Sequence, residues 1–191
     1  MTQPGTLLMI RHGEKPSNGD VGVDDQGNAN PDGLIPQGWQ RAGALVTLFA
    51  PNGTTLTSTL PTPGALITPK YPELVHRPYL TVLPLSQRLG VTIVSEYAVN
   101  ADPATIVSSL LAAESAVVLA CWEHDNLVNI AGAVASTVPV ANPADVPTSW
   151  PDDRFDVIWR FDLGEETGQW TFSSADQQLL AGDLFPGGPG A

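Results

Sequence analysis

The sequence predicts an α/β fold, a three-layer sandwich with a mainly parallel central sheet, helices on both faces and a C-terminal hairpin. Three observations predict it. Short apolar runs at residues 6–10 (TLLMI) and 116–121 (AVVLAC) stop abruptly at polar or charged residues, as strands buried on both faces do. Longer stretches between them carry apolar residues at helical spacing. Near the C-terminus the pattern changes to partial alternation around a glycine-bounded turn.

Taken in order, residues 6–10 are the first strand, and residues 15–33, rich in Gly, Asp, Asn and Pro, predict a long surface loop. From Pro36 the residues Trp39, Ala42, Leu45, Val46 and Phe49 recur at helical spacing, and Pro51-Asn52-Gly53 stops that helix. Residues 65–68 predict a second short strand. Tyr79, Leu80, Val82, Leu83, Leu85 and Leu89 predict a helix ending at Gly90, in which Pro84 implies a kink or a late start. Residues 91–94 are a further strand. Asp102 and Pro103 read as the N-cap and first residue of an amphipathic helix bearing Ile106, Val107, Leu110 and Leu111. Residues 116–121 give the strongest strand signal, with a helix after them over residues 126–134. Residues 137–151 predict a connecting loop, and residues 154–163 and 169–173 a hairpin at the sheet edge. Residues 186–191 are expected to be a disordered tail, so that one domain spans residues 1–185.

Composition narrows the function. A chain of 191 residues with 42% hydrophobic and 15% charged residues suits one well-cored globular domain. Its net charge of −12, with only eight Lys and Arg, argues against nucleic acid or an anionic membrane as partner. Any local gathering of cations then points to a bound anion. A lone cysteine, Cys121, forms no internal disulfide, and the first residues have neither a basic region nor a long apolar stretch. The cytoplasm is the expected compartment.

Two histidines occupy matching places, His12 after the strand at 6–10 and His124 after the strand at 116–121. In open α/β sheets ligands bind outside the carboxyl ends of the strands, so both imidazoles are expected at one crevice. Arg11 adds a planar fork of donors suited to phosphate oxygens, and Gly13 lets the backbone curl around an anion.

The segment LLMIRHGEKP, placed at the end of the first strand, resembles the opening motif of the histidine phosphatase superfamily, the phosphoglycerate mutase and acid phosphatase group. Leu34-Ile35-Pro36-Gln37-Gly38-Trp39-Gln40-Arg41-Ala42 is similar to that family's Leu-Thr-x-x-Gly segment and the helix after it. His76-Arg77-Pro78-Tyr79-Leu80-Thr81 resembles the stretch bearing its second phosphate-binding arginine, and residues 117–125 (VVLACWEHD) the strand delivering its second catalytic histidine. These matches cover residues 6–132 in the family's order. The resemblance implies that His12 is a nucleophile, phosphorylated transiently while a small phosphate ester is cleaved. It implies that Arg11, Arg77 and His124 hold the phosphoryl oxygens. Lys15 stands where acid phosphatases often carry another arginine and is a candidate further contact.

For the general acid, His124-Asp125 resembles the His-Asp pair of the acid phosphatase branch, which makes Asp125 the first candidate. Glu96 corresponds by order to the glutamate of the mutase-like branch and is the second. Asp125 also suits the N-cap of the helix after it. Glu123 is expected to point away from His124 by alternation, and His76 to have a structural or surface role. Trp122-Glu123 replaces a small residue of the family pattern, so the pocket floor is expected to differ. The acidic loop over residues 19–25 reads first as a plain solvated loop, with a lid that repels highly charged substrates as the alternative. Alternatives are a mutase-like phosphotransferase, a phosphate- or phosphopeptide-binding module without catalysis, and a metallohydrolase. The last lacks His-x-x-x-His or Cys-x-x-Cys spacing, and no metal or cofactor is expected. The expected partner is a small-molecule phosphate ester. The C-terminal hairpin is a candidate surface for pairing two copies as a homodimer.

Overall fold

A computed structural model describes residues 3–17, 19–52, 60–72 and 76–183. Among the described residues, six strands form one sheet: β1 (Thr6–Arg11), β2 (Ala65–Ile67), β3 (Ile93–Val94), β4 (Val117–Trp122), β5 (Val157–Leu163) and β6 (Trp170–Asp176). The α-helices among these residues are α1 (Pro36–Phe49), α2 (Arg77–Leu89), α3 (Pro103–Ala112) and α4 (His124–Thr137). The strand order is β3-β2-β4-β1-β5-β6. The first four in that order run parallel, while β5 lies antiparallel to β1, and β6 to β5.

Alternation along β1 and β4 divides the core between the two faces. Leu7, Met9, Val118, Ala120 and Trp122 pack with α3 and α4. Leu8, Ile10, Leu119 and Cys121 pack with Leu45 and Phe49 of α1 and Val82 and Leu85 of α2. This is the expected three-layer sandwich with its C-terminal hairpin, and β6 is its edge strand.

Several boundaries move for local reasons. The α2 helix starts at Arg77, earlier than the apolar pattern indicates, because Pro78 fits its first turn; it runs on through Pro84. β3 is shorter than residues 91–94 because Val91 belongs to the α2 terminus. Its N–H donates to the Ser86 carbonyl, beyond a left-handed Gly90 at φ 67°. Asp102 caps α3 as expected, accepting from the Thr105 N–H. α4 begins two residues earlier than residue 126, so its N-cap is Glu123; Asp125 lies within the first turn and is not the cap. The tail 186–191 and Gly53 lie outside the described residues. Among the described residues no helix is long and apolar enough to cross a membrane.

Candidate active site

β1 and β4 are adjacent and parallel, with Arg11 in register with Trp122, so His12 and His124 leave neighbouring strand ends on the same sheet edge. The ladder continues one step further, as the His12 N–H donates to the Trp122 carbonyl at 3.1 Å. His12 is only 3% exposed. Its Nδ1 lies 2.7 Å from the Gly13 carbonyl oxygen. A carbonyl oxygen only accepts, so Nδ1 carries the proton and the neutral ring keeps its lone pair on Nε2. Burial drives the imidazole pKa down from 6.5 to about 3. The Gly13 hydrogen bond opposes that shift, and the positive charges of Arg77, Arg11 and Lys15 reinforce it. Three cations thus act on one neutral ring.

The backbone after His12 is held from two sides. The Gly13 N–H donates to Thr81 Oγ1 at 2.8 Å, and that hydroxyl donates to the Arg77 carbonyl at 2.7 Å. Gly38 of α1 packs directly on the chain, since a Cβ there would stand 2.6 Å from the Glu14 carbonyl oxygen. Glu14 itself is buried and receives Arg41 Nη2 at 2.8 Å. Arg41 also reaches Asp183 Oδ1 at 2.7 Å and Gln177 Oε1 at 2.9 Å.

Arg11 is 1% exposed, and its Nη1 donates to the carbonyls of Asp152 at 2.6 Å and Arg154 at 3.2 Å. Its guanidinium carbon lies 4.0 Å from the Phe155 ring centroid, within cation–π range. Burial lowers the Arg11 pKa, opposed by the charges of Asp152, Asp125, Glu14 and Asp153. Arg77 opens α2; its Nη1 donates to the Pro31 carbonyl at 3.2 Å and sits 3.6 Å from Asp32 Oδ1. The Nε of both Arg11 and Arg77 is buried without a hydrogen-bond partner among the described residues. Buried donors of this kind are ordinarily satisfied, so both arginines have capacity left for an anion. His124 is the first residue of α4, and its Nε2 lies 3.5 Å from Asp152 Oδ1 and 3.6 Å from Asp125 Oδ1. A cleft of ≈ 700 Å³ opens over this edge, lined by Arg11, Lys15, His124, Asp125, Asp152 and Phe155 among others.

No protein-family model matches the sequence, and no curated protein matches it either. Solved structures do match. A mycobacterial glucosyl-3-phosphoglycerate phosphatase, in complex with VO3, superimposes with a TM-score of 0.55 at 15% identity, over 90% of this chain and 98% of its own. Phosphoserine phosphatase from Entamoeba histolytica, in complex with phosphoserine, does so with a TM-score of 0.53 at 14% identity, over 95% of this chain and 100% of its own. The chain shares its fold with these two phosphatases.

Within this fold the expected site residues divide into groups. Arg11, Lys15, His124 and Asp125 share the cleft wall. His12 and Arg77 are not on that wall, and join the group through the charges acting on the buried ring. Glu96 is exposed beyond the end of β3, the edge strand, and does not line the cleft. Glu123 turns to the Tyr71 hydroxyl, which donates to Oε1 at 2.7 Å. His76 stacks on that same Tyr71 ring, centroids 3.8 Å apart. Trp122 is fully buried with its indole N–H on the Val99 carbonyl, so it fills the α3/α4 side of the core and not the cleft. In the loop over residues 19–25, Asp20 lines the cleft, while Val23 is tied to Leu34 by backbone hydrogen bonds and to the Trp39 indole.

Sequence reasoning missed Asp152, Phe155, Thr81 and Tyr71. Asp152 and Phe155 arrive because β5 runs antiparallel to β1, which brings the entry of β5 beside the exit of β1. No local pattern announces that contact. Glu14 and Arg41 had a signal, since both lie inside the quoted motifs and a charge among apolar neighbours needs a partner.

Proposed function

We propose that this protein hydrolyses small phosphate monoesters through a phosphohistidine formed on His12. The observation that carries the reading is the buried, neutral His12 ring, its proton fixed on Nδ1 by the Gly13 carbonyl while the charges of Arg77, Arg11 and Lys15 act on it. A histidine so arranged is ready to attack phosphorus without first losing a proton. In this reading Arg11 and Arg77, whose Nε atoms have no hydrogen-bond partner among the described residues, take up phosphoryl oxygens and stabilise the charge that develops in the transition state.

In the first step Nε2 bonds to phosphorus as the ester P–O bond breaks, and the departing alkoxide takes a proton from Asp125. In the second step water attacks the phosphohistidine, its proton passes to the Asp125 carboxylate, and the P–N bond breaks to release inorganic phosphate. Asp125 is favoured as the acid because it lines the cleft beside His124. The two structural neighbours, a glucosyl-3-phosphoglycerate phosphatase and a phosphoserine phosphatase, support small phosphomonoesters as the substrate class.

The test is turnover of para-nitrophenyl phosphate by wild type and His12→Ala, with denaturing quench of a labelled substrate. The expected result is an acid-labile, base-stable phosphoenzyme in wild type, and in the variant no phosphoenzyme and a loss of activity greater than about a thousandfold. Turnover that survives loss of His12 rejects the reading. The same assay assigns the acid. Asp125→Asn should slow alkyl phosphates, with their poor leaving groups, far more than aryl phosphates, while Glu96→Gln should leave that difference unchanged.

A further inference from the structure

We infer that the cleft selects phosphate monoesters whose leaving group carries a positive charge, such as an ammonium, near the ester oxygen. This inference rests on the phosphatase reading above and adds a substrate class to it.

The cleft combines two opposed electrostatic features. Arg11 lines it, 1% exposed, with an Nε that has no hydrogen-bond partner among the described residues, together with Lys15. Two carboxylates from separate segments line it as well, Asp20 from the loop between β1 and α1 and Asp152 from the chain entering β5, in addition to Asp125, the proposed proton donor, from the first turn of α4. Asp125 and Asp152 have side chains 86% and 95% exposed. Their contacts with His124, at 3.6 and 3.5 Å, are longer than a well-formed charged hydrogen bond. Asp20 is met by the Ser17 hydroxyl at 3.4 Å. Glu14, the fourth acid on this wall, differs, because Arg41 already neutralises it.

These acids are close enough to matter. Asp152 and Asp125 are the strongest opposite charges acting on Arg11, the group proposed to hold the phosphoryl oxygens. For an anionic or neutral leaving group the carboxylates of Asp20 and Asp152 add repulsion to a phosphate dianion, in a protein that already carries a net charge of −12. A cation a few ångströms from the ester oxygen reverses the sign of that contribution. The phosphoryl group then faces Arg11 and Lys15 while the ammonium faces the acidic wall. Like-charge rejection of the wrong substrate and attraction of the right one come from the same two residues, Asp20 and Asp152.

The experiment compares phosphoethanolamine with n-propyl phosphate, which has the same chain length without the charge, in buffer containing EDTA. The expected kcat/KM ratio favours phosphoethanolamine by more than about fivefold at low salt and narrows as sodium chloride is raised. The Asp20→Asn, Asp152→Asn double variant should bring the ratio close to one. A wild-type ratio below that value, or a ratio the double variant leaves unchanged, overturns the inference. If propyl and aryl phosphates are turned over through phosphorylated His12 without preference for the ammonium, this inference alone fails. If no ester is turned over and no phosphoenzyme forms, the phosphatase reading itself fails.

Discussion

The proton on Nδ1 of His12 has consequences for stability as well as for chemistry. In the native protein the ring binds a second proton only near pH 3, whereas an ordinary histidine does so near 6.5. Between those values the unfolded chain holds a proton at this side chain that the native state refuses. Stability contributed by the neutral ring is therefore present above about pH 6.5 and is lost progressively as pH falls toward 3. Asp183 acts in the same direction but lower on the scale. Burial works to raise its pKa, the hydrogen bonds from Arg41, Leu180 and Leu179 and the Arg41 charge together outweigh it, and the net result is depressed below 3.8. Urea midpoints measured from pH 6.5 to 4.5 consequently isolate His12 from Asp183. The fall in midpoint over that range is expected to be shallower in His12→Gln than in wild type. Identical slopes would show that the ring is not held neutral.

At the scale of elements, the site depends on how closely α1 approaches the end of β1. Gly38 sits where any side chain would meet the Glu14 backbone, with a Cβ only 2.6 Å from its carbonyl oxygen and 2.9 Å from its nitrogen. Backbone cannot swing aside as a side chain can, so Gly38→Ala must push α1 away or displace the chain after His12. The expected cost is about 1–3 kcal/mol, the range for overpacking, with kcat/KM falling further than that stability loss explains. Thermal melts and kinetics on one sample check both. The bounds of α1, Pro36 to Phe49, were legible because a proline start, helical spacing and a Pro-Asn stop are all local signals. The strand ends carrying Arg11, His12 and His124 were legible for the same reason, as each follows a short apolar run. Asp152 and Phe155 were not, because they reach the site only through the antiparallel pairing of β5 with β1 across more than a hundred residues. Nor was the Tyr71–Glu123 hydrogen bond. It joins the chain before Arg77 to the N-cap of α4, and so links segments that separately carry Arg77 and His124.

Across the whole molecule, one buried ion cluster ties the start of the chain to its end. Arg41, 2% exposed on α1, donates to Glu14 from the chain after β1, to Asp183 from the segment beyond β6, and to Gln177 as well. Its planar fork makes this possible, with Nε and Nη2 both on Glu14 and Nη1 and Nη2 both on Asp183. Asp183 in turn accepts the backbone N–H groups of Leu179 and Leu180, so the segment after β6 is folded around the same charge. Arg41→Ala leaves two carboxylates buried without their cation, at an expected cost of about 3–5 kcal/mol. Arg41→Lys keeps the charge but offers a single ammonium to partners that the whole fork now serves, so it should recover only part of the loss. The decisive comparison is a double-mutant cycle between Arg41→Ala and Asp183→Asn, followed by chemical denaturation. Strong coupling is expected, because once Arg41 is gone a neutral amide in place of the Asp183 carboxylate is easier to bury, and the second substitution should restore stability. Additive losses would mean that the C-terminal segment is held by its apolar contacts, and that Arg41 serves Glu14 alone.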